Sequence, residues 1–289
     1  MTVRVGEPVL EPICRADVRE VAGFLSAHLN SRISAERWAT MIVPPWSADA
    51  PNHGYLLRSD EGIVGVHLAF YSTRQVRGRA EKFCNLGAWC VLEPHRAHGL
   101  RLLRALLRQR GYTFTDLSPS GNVIEVNRRL RFHELDTATA LVPNLPWPVL
   151  SRRASVTDDP AELDRTLTGT DRSIHTDHAT SLATRHLLLR ADGEHCYVVV
   201  RRDRRKGLPL FATLLYVGNQ GLFARHGRVV FRHLLGEGAL ATLSELRVVG
   251  SRPPYSRMIA SPRPKMFLSK ALQADDIDNM YSELTCVAW

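Results

Sequence analysis

The segment from Leu86 to Leu107, LGAWCVLEPHRAHGLRLLRALL, constrains the fold more than any other part of the chain. An apolar, strand-like run ends near Val91, a short loop containing a proline follows, and a leucine-rich helix begins at Gly99. Backbone N–H groups at such a strand–loop–helix junction converge on one point, where the helix dipole adds about half a positive charge. The segment therefore predicts an anion-binding junction in an α+β framework, with Arg96 as a fixed cation beside it.

Hydrophobic periodicity and turn signals predict the same order of elements twice: a helix, three strands, a helix and a strand. The first set comprises a helix from Asp17, an antiparallel meander between residues 55 and 92, a helix over 99–110 with Leu100, Leu103, Leu106 and Leu107 on one face, and a strand over 112–117. A further helix over 120–130 and a closing strand over 132–141 follow it. The second comprises a helix from Asp159, strands at 187–190, 195–202 and 210–217, a helix over 221–235 and a strand over 239–249. Three prolines within residues 142–148 indicate a stiff connector between the two sets. The predicted organisation is a first domain over 1–142, a linker over 143–148 and a second domain over 149–289.

The length of 289 residues suits two domains, and an apolar content of 44% excludes a disordered chain. No apolar run approaches the roughly 20 residues that span a bilayer, and the first 20 residues contain no continuous apolar stretch typical of a signal peptide. The five cysteines form no CxxC pair, which indicates reduced thiols. We therefore expect a cytoplasmic protein with no membrane partner.

The net charge of +9 is compatible with a nucleic acid, an anionic membrane or a phosphate-rich ligand. Arginines are spread along the chain, with one dense cluster at residues 201–206, whereas nucleic-acid-binding proteins usually concentrate their charge on one element. A solvated basic surface is favoured, and no nucleic-acid partner is predicted. Nucleic-acid binding remains a third hypothesis, which steep salt dependence would identify.

The motif Val91-x-x-x-x-Arg96-x-x-Gly99-x-Arg101, with Leu130-Arg131-Phe132 at the end of the first set, resembles the GNAT superfamily of acyl-CoA-dependent N-acyltransferases. The family signature is Arg/Gln-x-x-Gly-x-Gly/Ala after a Val-containing strand, and its usual terminal tripeptide is Leu-Gly-Phe. The resemblance covers residues 10–140 in the order of elements. It implies two GNAT-like domains of the α+β (α/β/α) class, each a mixed, mostly antiparallel sheet flanked by helices.

The resemblance also implies positions for the co-substrate, acetyl-CoA or another acyl-CoA. Pantetheine would lie along Trp89, Cys90 and Val91, and the pyrophosphate would be bound by the segment Arg96, Ala97, His98, Gly99, Leu100, Arg101 and Leu102. An amide N–H near Val91 would stabilise the oxyanion formed when an amine attacks the thioester. The candidate general bases are Asp116, on the strand that diverges beside the thioester, and Glu125, on the following helix. Cys90 itself is interpreted as a small apolar strand residue rather than an acyl-carrying nucleophile.

Three positions depart from the family pattern. Arg101 replaces the second glycine, Pro94 is shifted within the loop, and Asn127 occupies the position of the helical tyrosine that often protonates the leaving thiolate. Asparagine cannot act as a general acid near pH 7. Two functions therefore stay open: an N-acyltransferase, and a catalytically silent acyl-CoA-binding or scaffold protein.

The second half lacks an arginine at its strand-to-helix junction, Val217-Gly218-Asn219-Gln220-Gly221. It is interpreted as a GNAT-like lobe without its own cofactor site, with an unrelated α+β domain as the alternative. The predicted acceptor is a small-molecule amine, and an acidic or phosphorylated one would suit the basic residues at 201–206, Arg247, Arg257 and Lys265. Residues 281–284, YSEL, are similar to a tail in GNAT-like proteins of surface-polysaccharide synthesis, which implies an amino-sugar acceptor. His175 and His178 lack a third ligand, so no metal site is predicted.

Overall fold

A computed structural model describes residues 7–148, 154–205 and 208–287, which form two compact units. Of the described residues, the first unit comprises 7–133, 266–273 and 281–287, and the second comprises 134–148, 154–205, 208–265 and 274–280. The first break between the units lies after residue 133, whereas the predicted boundary lies at residues 142–149. Two pieces of the C-terminal stretch also belong to the first unit. None of the described helices is long and apolar enough to cross a membrane.

The first unit contains a seven-stranded sheet in the order β1-β2-β3-β4-β5-β14-β6. Its described strand pairs are antiparallel except for β4 and β5, which run parallel. The elements are β1 Val9–Pro12, α1 Val18–His28, α2 Ala35–Ile42, β2 Gly54–Ser59, β3 Gly62–Val76, β4 Arg79–Val91, α3 Gly99–Leu107, β5 Tyr112–Asp116, α4 Asn122–Arg129, β6 His133–Glu134, β14 Met266–Leu268 and α9 Glu283–Cys286.

Both faces of the first sheet are covered. Ala69 and Tyr71 of β3 pack in one cluster with Leu103 and Leu106 of α3. Phe70 points to the opposite face, because side chains alternate along a strand, and it is just as deeply buried. On α3 the structure buries Leu102, Leu103 and Leu106 and leaves Leu100 43% exposed. The buried face of the helix is therefore rotated from the predicted one, which included Leu100 and omitted Leu102.

The second unit repeats the arrangement with a seven-stranded sheet in the order β13-β7-β12-β11-β10-β9-β8. Of its described strand pairs, only β11 and β12 are parallel. The elements are β7 Thr139–Pro143, β8 Ser155–Thr157, α5 Pro160–Thr166, α6 Gly169–His178, β9 Thr184–Ala191, β10 Glu194–Arg205, β11 Leu208–Val217, α7 Gln220–Gly236, β12 Ala241–Glu245, α8 Leu246–Val249 and β13 Arg257–Met258. The predicted α+β class, with two mixed and mostly antiparallel sheets flanked by helices, is confirmed.

The predicted closing strand over residues 132–141 is two strands in the structure. His133–Glu134 belongs to the first sheet, whereas Thr139–Pro143 pairs with β12 in the second. The corresponding place beside β5 is taken by Met266–Leu268, which pairs antiparallel with residues 114–116. The two halves of the chain therefore exchange a strand, and neither sheet is built from one half alone.

One glycine in the first sheet is required by its surroundings. Gly54 begins β2 with φ +117°, and a Cβ added there would lie 2.1 Å from the carbonyl oxygen of His67. Only glycine fits this close approach of two backbones. The contact holds the start of β2 against the part of β3 that faces the candidate site.

Candidate acyl-transfer site

Strand β4 changes its pairing at the predicted site. Its register with β3 shifts around Ala88, since Leu68 pairs with Gly87 and His67 pairs with Trp89. Ala88 has φ +35°, which marks the extra residue of a β-bulge. Pairing with β5 covers only Lys82 to Asn85, so the backbone edge of β4 beyond Asn85 has no strand partner on that side within the described residues. An open, twisted edge of this kind can hydrogen-bond an extended ligand chain.

The predicted residues of this edge are partly accessible. Trp89, Cys90 and Val91 are all half-buried, and the indole of Trp89 stacks on the His67 imidazole with ring centroids 4.7 Å apart. Burial lowers the pKa of His67 to about 3, so the ring is neutral at physiological pH. Its Nδ1 atom is buried without a hydrogen-bond partner among the described residues.

The predicted phosphate loop is helical. Residues Glu93–His98 form a 3-10 helix that runs directly into α3, and the Gly99 N–H donates to the Arg96 carbonyl. The His95 N–H likewise donates to the Leu92 carbonyl, at 2.9 Å. These two amides are therefore used inside the turns instead of pointing at one shared centre.

Gly99 has a helical φ of −55°, and a Cβ added there would lie 3.5 Å from Val91, which is ordinary contact. The structure thus packs Gly99 against β4, and no backbone strain or close approach requires a glycine.

Side chains of the loop point in several directions. Arg96 is 72% exposed, with Glu93 3.8 Å away. Arg101 donates to the carboxylate of Glu7 and to the Pro8 carbonyl, both at 3.0 Å. Ala97 and Leu100 are exposed, His98 is half-buried and Leu102 is buried in the core. Arg96 is the loop cation that remains available to a phosphate.

A buried carboxyl group lies at the end of β5, where β4 and β5 diverge. Asp116 is 6% exposed, and its Oδ2 accepts a hydrogen bond of 2.8 Å from the Asn127 side-chain amide. Burial, followed by the nearby charge of Glu283, raises the pKa of Asp116 to about 7. A carboxyl group with this pKa can accept and release a proton near neutral pH.

Glu283 is a site residue that sequence reasoning missed. Its backbone N–H donates to the Asn85 side chain at 2.9 Å, and its carboxylate accepts from the Ser118 hydroxyl at 2.7 Å. A Cβ on Gly87 would lie 3.1 Å from the Cβ of Glu283. The segment 281–287 therefore lies in the fork between β4 and β5. In the tail YSEL, for which the resemblance implies an amino-sugar acceptor, residues 282–284 are buried and Tyr281 is half-buried. Its distance along the chain left no local signal of this position.

The second predicted base lies elsewhere. Glu125 is 61% exposed on α4 and forms an ion pair with Arg128 one turn away. Asn127 on the same helix is fully buried and contacts Asp116, so the residue that replaces the family tyrosine orients a carboxyl group. Its own side-chain oxygen has no hydrogen-bond partner among the described residues.

The equivalent fork in the second unit contains an ion cluster. Lys265 is buried and donates to the carboxylate of Glu245, which also accepts from Arg247 at 2.9 Å. Asn279 accepts from Lys265 at 2.8 Å and donates to the Leu215 carbonyl at 3.3 Å. Burial lowers the pKa of Lys265 to about 8. Lys265 and Arg247 were expected to face an acceptor substrate, but both form ion pairs with Glu245 in this cluster.

The junction after β11 carries a negative charge. A Cβ on Gly218 would lie 2.5 Å from the carboxylate of Asp171, and that carboxylate accepts from the Tyr216 hydroxyl at 2.7 Å. An anion at this junction would be repelled. In the basic cluster at 201–206, Arg201 is paired with Asp203 at 2.8 Å, the side chains of 204 and 205 are not described, and residue 206 lies outside the described residues. Arg257 lies exposed on β13.

Two groups with metal-ligand chemistry occur in the second unit. His178 directs Nδ1 to the Ile174 carbonyl, whereas His175 contacts Asp164 at 3.2 Å, so the two histidines share no ligand position. Asp158, His233 and Glu237 bring their ligand atoms within 4.8 Å of one another. The guanidinium of Arg185 already contacts both carboxylates of this group, at 3.0 Å and 2.9 Å.

No family model and no curated protein matches the chain in sequence, but its structure resembles solved acyltransferases. A GCN5-related N-acetyltransferase from Anabaena variabilis superposes with a TM-score of 0.60 at 9% identity, over 90% of this chain and 72% of that one. A putative acetyltransferase from Pyrococcus horikoshii gives 0.56 at 14% identity, over 96% and 94% of the two chains. Saccharomyces cerevisiae N-myristoyltransferase with bound myristoyl-CoA gives 0.51 at 9% identity, over 96% and 85%. The resemblance to the GNAT superfamily is thus confirmed at the level of the fold, which this chain shares across both of its units.

Proposed function

We propose that the chain is an N-acyltransferase whose first unit binds an acyl-CoA, most simply acetyl-CoA, and acylates a small-molecule amine. The observation that carries this proposal is the edge of β4 after the bulge at Ala88, which has no strand partner beyond Asn85 within the described residues. The buried Asp116 ends β5, the strand that pairs with Lys82 to Asn85. An extended pantetheine arm fits such an edge, because those backbone N–H and C=O groups of residues 89–91 that face away from β3 can pair with its amides. The bound co-substrate supplies the activated thioester.

The residues of the fork then have distinct roles. An amide N–H of the open edge near Val91 stabilises the oxyanion that forms when the amine attacks the thioester. The oxyanion then collapses with cleavage of the C–S bond, and CoA leaves as a thiolate that takes a proton from water. Asp116 accepts the proton that the amine loses, since the pKa of its carboxyl group lies near 7. Asn127 holds the Asp116 carboxyl group through its side-chain amide. Arg96 provides the exposed cation for a phosphate of the cofactor.

The second unit is assigned no cofactor site. Asp171 places a carboxylate at the junction after β11, where a pyrophosphate would bind, and no arginine stands in that junction. The acceptor class remains open to experiment: amino sugars follow from the resemblance of residues 281–284, and acidic or phosphorylated amines follow from the net charge of +9.

A catalytically silent acyl-CoA-binding or scaffold protein is the second candidate. The observation that favours it is the helical phosphate loop, in which the His95 and Gly99 amides donate within the chain and Arg101 turns to Glu7. Both candidates predict acyl-CoA binding, and only the enzyme releases free thiol.

The test combines calorimetry with a thiol-release assay. Arg96→Glu reverses the exposed loop charge, and Arg104→Glu on the outer face of α3 is its matched control. We expect the wild type and Arg104→Glu to bind acetyl-CoA and Arg96→Glu to bind it at least about tenfold more weakly. Thiol release from acetyl-CoA with an amine panel that includes amino sugars supports the enzyme. Binding without release over the whole panel supports the silent protein, and no binding by the wild type refutes both.

A further inference from the structure

The second unit contains a cavity of about 510 Å³ beside the first half of α7. Its floor is apolar and includes Phe223, Phe231 and Val249, and prolines 148, 253 and 254 border it. This volume lies within the range of about 300 to 1,000 Å³ typical of small-molecule sites. The cavity lies entirely within one unit and is separate from the acyl-transfer site proposed above.

The charged groups that line this cavity all carry or can carry positive charge. Arg225, His226, Arg228 and Arg252 are among the lining residues, and the described lining includes no aspartate or glutamate. Arg225 is satisfied by Glu194 at 2.9 Å, and His226 contacts Asp192 at 2.7 Å.

Arg252 donates to the carbonyl and hydroxyl of Ser256. Neither Arg252 nor Arg228 forms an ion pair within the described residues. Arg228 also forms no side-chain hydrogen bond there, so it is the cation of the cavity whose N–H donors are unused.

Arg228 is held by aromatic rings. Its guanidinium lies 5.2 Å from the ring centroid of Trp147 and 5.1 Å from that of Tyr255, and the two rings are themselves 5.3 Å apart. Both distances lie within the range of a cation–π contact, which leaves the N–H donors of the guanidinium free. The indole N–H of Trp147 is also buried without an acceptor among the described residues. The donors that the cavity offers above its apolar lining are therefore those of Arg228.

We propose that this cavity binds a small organic anion with a flat apolar body. The acidic group, a carboxylate or a phosphate, pairs with Arg228, and the apolar body packs on Phe223 and Phe231. A half-buried cation without a counter-charge favours an anion, since pairing recovers the hydration energy that burial costs. A bare inorganic anion would leave the apolar floor hydrated, and a neutral apolar ligand would leave Arg228 unpaired.

The test uses two fluorescent probes of the same shape on the full-length protein. 8-Anilinonaphthalene-1-sulfonate carries the anionic group, and N-phenyl-1-naphthylamine is its uncharged counterpart. We expect saturable binding of the sulfonate that Arg228→Gln weakens about tenfold or more, the effect of losing a hydrogen bond to a charged group. Binding of the neutral amine should change less than about twofold in that variant.

Two further variants keep the result specific. Arg165→Gln removes an exposed arginine from α5 and should leave both probes unaffected. Ala224→Trp fills the cavity from an exposed position of α7 and should exclude both. Thermal unfolding at the wild-type midpoint shows that each variant is folded.

Displacement of the sulfonate by 4-phenylbutyrate identifies a carboxylate ligand, and displacement by phenyl phosphate identifies a phosphate. Equal binding of the two probes, unchanged sulfonate binding in a folded Arg228→Gln, or displacement by neither compound would overturn the proposal.

Discussion

Replacing Asp116 by asparagine should remove a large pH dependence from the stability of this protein. The pKa of the carboxyl group is raised from 3.8 to about 7, chiefly by burial and then by the charge of Glu283. Each pKa unit corresponds to about 1.4 kcal/mol, so the ionised group costs the folded state about 4 kcal/mol. Between pH 4 and pH 7 the folded protein retains a proton that the unfolded chain has lost. Stability from this group therefore falls as the pH rises through that window and levels off above pH 7.

The assay is urea denaturation of the wild type and Asp116→Asn at a series of pH values from 4 to 9. Subtracting the two curves cancels the other titrating groups. The wild type should lose about 4 kcal/mol relative to the variant from the acid end to pH 8. Glu125→Gln, the same change of a carboxylate to an amide at an exposed position of α4, is the matched control. A flat difference for Asp116→Asn would show that the carboxyl group titrates normally, and the assignment of Asp116 as a base near neutral pH would fail with it.

Three further predictions test other parts of the structure. Gly87→Ala should destabilise the protein by about 1 to 3 kcal/mol, because the added Cβ would lie 2.8 Å from the Phe70 ring. Gly99→Ala should unfold at or above the wild-type melting temperature. Equal melting temperatures of the two variants would contradict the packing of the fork. Acetyl-CoA should slow iodoacetamide labelling of the half-buried Cys90 and leave the exposed Cys14 unchanged in peptide mapping, and unprotected Cys90 would argue against pantetheine on β4. Lys265→Met should cost about 3 to 5 kcal/mol in urea denaturation, since it leaves a carboxylate buried without its lysine, and a smaller loss would mean that the cluster is hydrated.

Local patterns predicted the elements whose partners are close in the chain. The meander over 55–92 and the helix after it follow from alternation and helical periodicity, and β2 to β4 pair as successive hairpins. The pattern over residues 132–141 is equally strand-like, but the structure divides it between two sheets. Pairing between strands that are far apart in the sequence depends on which sheet edge is unoccupied in the folded chain. The local pattern of residues within one strand contains no information about that edge.

The candidate site shows the same limit. Trp89, Val91 and Gly99 come together because they flank one junction, and the family motif located them. Glu283 reaches the fork between β4 and β5 from α9, whose four residues contain no signal of that position. Asn127 was expected to weaken the site, since it cannot protonate a thiolate. In the structure its side-chain amide donates to Asp116, and this contact could not be predicted because it depends on how α4 packs beside β5.

Because of the strand exchange, the surroundings of Asp116 come partly from the second half of the sequence. Asp116 lies on β5 opposite Met266 of β14, so the edge that fixes its backbone is supplied by the second half of the sequence. Glu283, which helps to raise its pKa, comes from the same half. A fragment ending at the predicted linker would leave β5 with an unpaired edge and Asp116 without the neighbour that tunes it. The raised pKa of Asp116 therefore depends on both halves of the chain. The motif that resembles an acyl-CoA site, in contrast, occupies fewer than twenty residues of the first half.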